Sequence, residues 1–180
     1  MVYVLLGTGF EETEAIAPID LLRRAGVEVT TVGIQGKTVY GGHGIGIEAD
    51  ILLEQMQFSH MEMIVLPGGL GGVDSVRNSP KAMDAIRYAQ AHPVYIAAIC
   101  AAPTILAQLG ITDGKQAVCY PGCEEEMGSA QILADRSCVR DGRVITGASA
   151  GCAVSFGLSL IAALKGQGEA DRIAQQIVIR

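Results

Sequence analysis

The sequence predicts an α/β domain whose mostly parallel central sheet is covered by helices on both faces. Short β-rich apolar runs recur along the chain, and most are separated by amphipathic stretches that end at glycine or proline. At 180 residues the chain fits one domain, 1–180, long enough to bury a full core.

The strands are expected at Val2–Leu6, Val27–Ile34, Met63–Leu66, Val94–Ile99 and Arg143–Thr146, where β-branched and apolar residues run together. A helix over Glu11–Ala25 carries Ile16, Ile19 and Leu22 on one side and stops at Gly26, with a kink expected at Pro18. Ser79–Ala91 opens on a Ser-Pro cap and ends before Pro93, and Pro103–Leu109 ends at Gly110. Ala153–Leu164 and a polar-faced Glu169–Val178 complete the helices. Lys37–Asp50, with its Tyr40-Gly41-Gly42 and Gly44-Ile45-Gly46-Ile47, is expected to form a small hairpin, and Cys138–Arg143, with Asp141-Gly142, a second.

Composition narrows the partners. Against 19 acidic residues stand 13 lysines and arginines, a net charge of −6, and no basic run breaks the pattern, so neither nucleic acid nor an anionic membrane is expected to bind. The start, Met1-Val2-Tyr3-Val4-Leu5-Leu6, lacks a basic leader, and no apolar stretch approaches the roughly 18 residues of a membrane span, which points to the cytoplasm. Five irregularly spaced cysteines make an improbable disulfide framework. Cys119 and Cys123 are not spaced as a zinc knuckle and lack further ligands, so neither metal nor cofactor is expected.

Ligands in such folds sit beyond the carboxyl ends of the strands, which directs attention to the turns after Leu6, Leu66, Ile99 and Thr146. The first, Gly7-Thr8-Gly9-Phe10-Glu11-Glu12, begins like a dinucleotide fingerprint but replaces its last glycine and puts carboxylates where pyrophosphate would approach. Glu12 fits a solvated helix end that complements the macrodipole, whereas Glu14, followed by Ala15-Ile16-Ala17, should point inward. Gly147-Ala148-Ser149-Ala150-Gly151 matches a serine-hydrolase elbow, yet His43, His60 and His92 all precede it, against the order such a triad needs, so these small residues are expected to serve close packing.

Pro67-Gly68-Gly69-Leu70-Gly71-Gly72 offers bare backbone N–H groups to an anion, and otherwise reads as a flexible loop. After the apolar Val94–Ile99 comes Cys100-Ala101-Ala102, with Pro103 suited to a first helical position. Cys100 thus stands at a helix N-terminus, where dipole and free N–H groups favour thiolate and a depressed thiol pKa. A cysteine after a strand is otherwise an inert part of the core.

Four segments in order resemble the ThiJ/PfpI superfamily, in the YajL-like branch that includes the parkinsonism-associated deglycase: Gly9-Phe10-Glu11-Glu12-Thr13-Glu14, Arg23-Arg24-Ala25-Gly26, Val65-Leu66-Pro67-Gly68-Gly69 and Ala97-Ala98-Ile99-Cys100-Ala101-Ala102-Pro103. The resemblance covers nearly the whole chain. It implies a flavodoxin-like three-layer sandwich related to the class I glutamine amidotransferases, a homodimer, and a strained nucleophile elbow at Cys100 whose sulfur meets the carboxyl of Glu14. It implies also an anion pocket of backbone N–H groups at Gly68, Gly69 and Ala101, with Glu11, Arg24, His43 and Tyr120 around it.

A thiolate against a carboxylate would place like charges together, so one proton must be shared. The low-cost arrangement is a protonated Glu14 donating to the Cys100 thiolate. Relatives with glyoxalase or peptidase activity carry a histidine near the cysteine where this chain has Tyr120, which leaves peptidase chemistry without its base. His43 aligns with an arginine of the deglycase, and its plain reading is an exposed loop residue; Arg24, late in its helix, fits dipole complementarity as well as anion binding. The resemblance therefore implies a glutathione-independent glyoxalase or deglycase acting on methylglyoxal, other 2-oxoaldehydes or glycated protein. The alternative is a non-catalytic redox sensor or stress chaperone that signals through oxidation of Cys100.

Overall fold

A computed structural model describes residues 1–179. The first half runs β1 (Val2–Leu6), α1 (Glu12–Arg24), β2 (Val29–Gly33), a hairpin of β3 (Thr38–Tyr40) and β4 (Gly46–Glu48), β5 (Ile51–Leu52), β6 (Met63–Leu66), α2 (Leu70–Arg77) and α3 (Pro80–Ala91). The second half runs β7 (Tyr95–Ile99), α4 (Pro103–Gln108), β8 (Gln116–Ala117), β9 (Gln131–Ile132), β10 (Cys138–Asp141), β11 (Val144–Gly147), α5 (Ala153–Lys165) and α6 (Gln167–Gln176).

Seven strands form one sheet in the order β10-β11-β7-β6-β1-β2-β5. All neighbours are parallel except β10, an edge strand antiparallel to β11. The alternation within β1 shows how the layers are built. Tyr3 and Leu5 join Val73 and Val76 of α2, Ile86 of α3 and Ile105 of α4 on one face. Val2, Val4 and Leu6 join Ala15, Ile19 and Leu22 of α1, Phe156 and Leu160 of α5, and Ile173 of α6 on the other. The result is the flavodoxin-like three-layer sandwich, with both sheet faces dry, which is why its strands read as continuous apolar runs.

Two local differences from the sequence reading have physical causes. Helix α1 runs unbroken through Pro18, which forfeits a single backbone bond, and Gly157 of α5 packs so closely there that a Cβ would come within 2.7 Å of Leu21 and 3.2 Å of Pro18. The glycine segment after β6 is no flexible loop, because α2 begins at Leu70 and takes Gly71 and Gly72 into its first turn. A Cβ on Gly72 would lie 2.7 Å from Phe10 Cα, so glycine there lets α2 touch the β1–α1 turn. Low helix propensity is overridden by that close approach. Gly147 is equally tight, a Cβ meeting Ile99 at 2.9 Å and Phe156 at 3.0 Å, so the hydrolase-like motif serves close packing.

Candidate active site

The site stands at the carboxyl ends of β1, β6 and β7. Cys100 follows β7 with φ 67, one of only two non-glycine residues with positive φ among the described residues. A left-handed conformation costs an L-residue on the order of 1 kcal/mol or more, and surrounding structure must hold it. Here the Cys100 N–H donates to Gly147 of β11 at 2.9 Å and its carbonyl accepts the Tyr120 N–H at 2.8 Å. Pro103 then opens α4. The sulfur, half-buried, is turned toward the N–H groups of Ala101 and Gly69.

Glu14 comes from the first turn of α1 and is fully buried. Its Oε2 accepts the N–H of Gly68 at 2.8 Å, while Oε1 has no nitrogen or oxygen donor. The group that interacts with this carboxyl from the elbow is the Cys100 thiol. Any Cβ on Gly68 would stand 2.5 Å from Glu14 Oε2 and 2.6 Å from Cys100 Cβ, so the two can approach each other here only beside a residue without a side chain.

Burial raises Glu14 to about 7, with the negative charge of Glu11 adding to the shift and hydrogen bonds from Cys100 and Gly68 opposing it. The expectation of a depressed Cys100 thiol is reversed. Burial first, and the Glu14 carboxylate second, push it up to about 12, against the pull of the Ala101 and Gly69 N–H groups. Desolvation of the sulfur and the facing acid outweigh the helix terminus. With the thiol at about 12 and the carboxyl at about 7 the resting pair keeps its proton on sulfur, and a thiolate forms only in the arrangement in which Glu14 takes that proton. The donorless Oε1 is the natural atom to hold it, since a buried anionic oxygen without a partner is costly.

The other expected residues divide clearly. Gly69 and Ala101 direct their N–H groups at the sulfur, but Gly68 spends its own on Glu14 and is not part of an anion pocket. Glu11 caps α1 by accepting the Glu14 N–H at 2.7 Å, an uncommon use of glutamate that the sequence did not signal. Tyr120 reaches the elbow through its backbone alone, its ring being exposed. Arg24 lies at the far end of α1, roughly 15 Å of helix from Glu14, paired with Asp20 at 2.7 Å; within one chain it does not reach the pocket.

Glu12 departs furthest from expectation. Instead of a solvated end it is buried, its carboxylate accepting the backbone N–H of His43 at 2.7 Å and of Ile45 at 3.4 Å, and meeting His43 Nδ1 at 2.8 Å. Burial works against its charge, but these bonds prevail and hold Glu12 below the ordinary carboxylate range, while the same contact raises the exposed His43. His43 is therefore a clasp on the hairpin as well as an exposed loop residue. Donor atoms of Glu11, Glu12 and His43 lie within 4.8 Å of one another, the one set so spaced among the described residues. Glu12 is already satisfied there by the hairpin, so the set is best described as an ion-paired seam. Ser149 has no histidine partner, and its Oγ instead meets Cys152 Sγ at 4.0 Å. No helix among the described residues is long and apolar enough to cross a membrane.

Comparison with known proteins identifies the family. The DJ-1/PfpI family model matches residues 1–163. The chain is 35% identical over 178 residues to Protein dj-1beta of Drosophila melanogaster, covering 98% of this chain and 95% of that protein. It is 30% identical over 146 residues to Deglycase PH1704 of Pyrococcus horikoshii, covering 81% and 87% respectively. The crystal structure of Drosophila melanogaster DJ-1beta superposes with a TM-score of 0.93 over 99% of this chain and 97% of that one. With the elbow, the buried acid and this extent of similarity in hand, the chain belongs to the DJ-1/PfpI family.

Proposed function

We propose that the chain is a cysteine-dependent enzyme of the glyoxalase or deglycase type, acting on 2-oxoaldehydes such as methylglyoxal or on their protein adducts. The observation that carries this reading is the fully buried Glu14 carboxyl beside Cys100, the two meeting in the space that Gly68 leaves free of a side chain. In the state with one shared proton, the Cys100 thiolate attacks the aldehyde carbon, a C–S bond forms, and the oxyanion takes the proton from Glu14. The Ala101 and Gly69 N–H groups steady the charge as it develops. Glu14, now a carboxylate, removes the hydrogen from the former aldehyde carbon as a proton and returns it to the adjacent carbonyl carbon, while the hydroxyl proton passes from the first oxygen to the second, leaving a 2-hydroxy thioester. Water then breaks the C–S bond, releasing the 2-hydroxy acid and restoring the pair with its one shared proton. The balance is one oxoaldehyde and one water to one hydroxy acid, with no external oxidant or cofactor. Tyr120 supplies no imidazole, so the Cys-His pair of peptidase chemistry is lacking. Incubation with methylglyoxal, followed by NMR of the product, tests the reading: lactate formed by the wild type and not by Cys100→Ser supports it, and equal rates overturn it.

The second reading, a redox sensor or stress chaperone, is favoured by the same two N–H groups, which can receive the oxygens of a Cys100 sulfinate. Clean conversion of Cys100 by peroxide in a protein without turnover would put it first. A homodimer in the cytoplasm belongs to either reading. It is supported by the exposed Ile16 and Ile45, which line an apolar groove between α1 and the hairpin with Thr13 and Ala17, and by five unpaired thiols suited to a reducing compartment. Light scattering at micromolar concentration decides the dimer, a monomer removing it.

A further inference from the structure

Glu11, immediately before α1, closes a ring of hydrogen bonds with Gly68 and Glu14, the carboxyl member of the proton-sharing pair. Its Oε2 accepts the Glu14 N–H at 2.7 Å, and its own N–H donates to the Gly68 carbonyl at 2.9 Å. The ring closes where the Gly68 N–H donates to Glu14 Oε2 at 2.8 Å. One residue thereby ties together the start of α1, the glycine turn after β6 and the carboxyl that faces Cys100. It also brings a negative charge to a place where the pair must shed a proton.

We propose that Glu11 is a positioning residue for the Cys100–Glu14 pair: its cap and its own bond to Gly68 hold the Glu14 carboxyl in place beside the elbow, with the Glu11 carboxylate next to it. The inference rests on the reading that Cys100 and Glu14 share a proton, and not on the identity of the substrate. Glu11 is the neighbouring charge that raises Glu14, whereas the Cys100 thiol is shifted by burial and by Glu14, so the influence of Glu11 passes through Glu14. Other charged groups are placed to contribute less. The glycine turn brings none, the elbow brings Cys100 itself, and the Glu12 carboxylate of α1 is turned to His43 of the hairpin. A cap alone would not need a carboxylate, because a neutral side-chain oxygen accepts the same N–H.

The test is the rate of Cys100 alkylation by iodoacetamide as a function of pH, read on the full chain by mass spectrometry of the Cys100 peptide. Glu11→Gln keeps an acceptor for the cap and removes the charge. The midpoint of the profile should fall by roughly half a pH unit or more, the size expected for removing one nearby unit charge. On a Glu14→Gln background the same substitution should move the midpoint by less than half as much. Glu11→Asp, which keeps cap and charge, should stay close to wild type, and Glu11→Ser, a neutral residue that caps well, repeats the measurement should glutamine fail to fold. A midpoint unmoved by both neutral variants, or moved equally without Glu14, overturns the proposal. Alkylation needs no turnover, so a failure to consume methylglyoxal would sink the enzymatic reading and leave this result standing.

Discussion

Glu14 and Cys100, 86 positions apart in the chain, border the same space beside the Gly68 backbone, so that a methyl group on Gly68 would strike Glu14 Oε2 at 2.5 Å and Cys100 Cβ at 2.6 Å. That contact makes Gly68 the most sensitive position of the site that carries no chemistry of its own. Gly68→Ala should separate the pair, slow alkylation of Cys100 at neutral pH, and destabilise the fold by roughly 1–3 kcal/mol, as overpacking of a dense interior does. Chemical denaturation together with thiol labelling checks both effects; unchanged labelling would mean that the pair tolerates separation.

Replacing the carboxyl by an amide distinguishes chemistry from oxidation. Glu14→Gln keeps a donor toward the sulfur but cannot take up a proton. Turnover of methylglyoxal should fall by about 10² to 10⁴, the usual worth of general acid–base transfer, while peroxide still converts Cys100 to sulfinate in some measure. Kinetics against Cys100→Ser as blank, with intact mass after peroxide, give the two readouts. Near wild-type turnover would reduce Glu14 to a structural partner of the sulfur.

The raised carboxyl predicts a slope in stability against pH. Folding lifts Glu14 from 4.5 to about 7, so the folded state holds this proton more tightly than the unfolded chain. Its contribution is present in full below 4.5 and is lost as pH rises through 7. The loss amounts to about 3 kcal/mol across that window. Urea unfolding at a series of pH values should show this slope in the wild type and not in Glu14→Gln; parallel curves would mean that Glu14 ionises freely in the fold.

The hairpin offers a prediction in hydrogen exchange. Because the Glu12 carboxylate receives the N–H groups of His43 and Ile45, Glu12→Ala should speed exchange at those two amides while the β1 amides stay protected. In the wild type the ion pair is complete between the ordinary carboxylate and imidazole ranges. It weakens above, as the raised His43 loses its proton, and below, as the lowered Glu12 gains one. Protection of the His43 and Ile45 amides should follow the same window, and protection independent of pH would show that the backbone bonds Gly42 to Phe10 and Gly9 to Tyr40 suffice.

Much of this protein was decided by local pattern. Val2–Leu6 and Met63–Leu66 read as strands because both of their faces are buried and every residue is apolar, and the Ser79 and Pro103 helix starts carry their own capping chemistry. Cys100 at a strand-to-helix turn, the inward Glu14 and the mostly parallel sheet are legible for the same reason: periodicity and turn residues act over a few positions. Tertiary structure decided what depends on distant neighbours. Helix α2 forms through two glycines because Phe10 and Gly9 press against it, Glu12 is buried because a hairpin some 30 residues onward folds over it, and Arg24 is carried away from the site by the length of α1. The reversal at Cys100 has the same origin. A helix terminus is visible in sequence, but desolvation and a facing carboxyl arise only when the chain closes, and in a buried site they outweigh it.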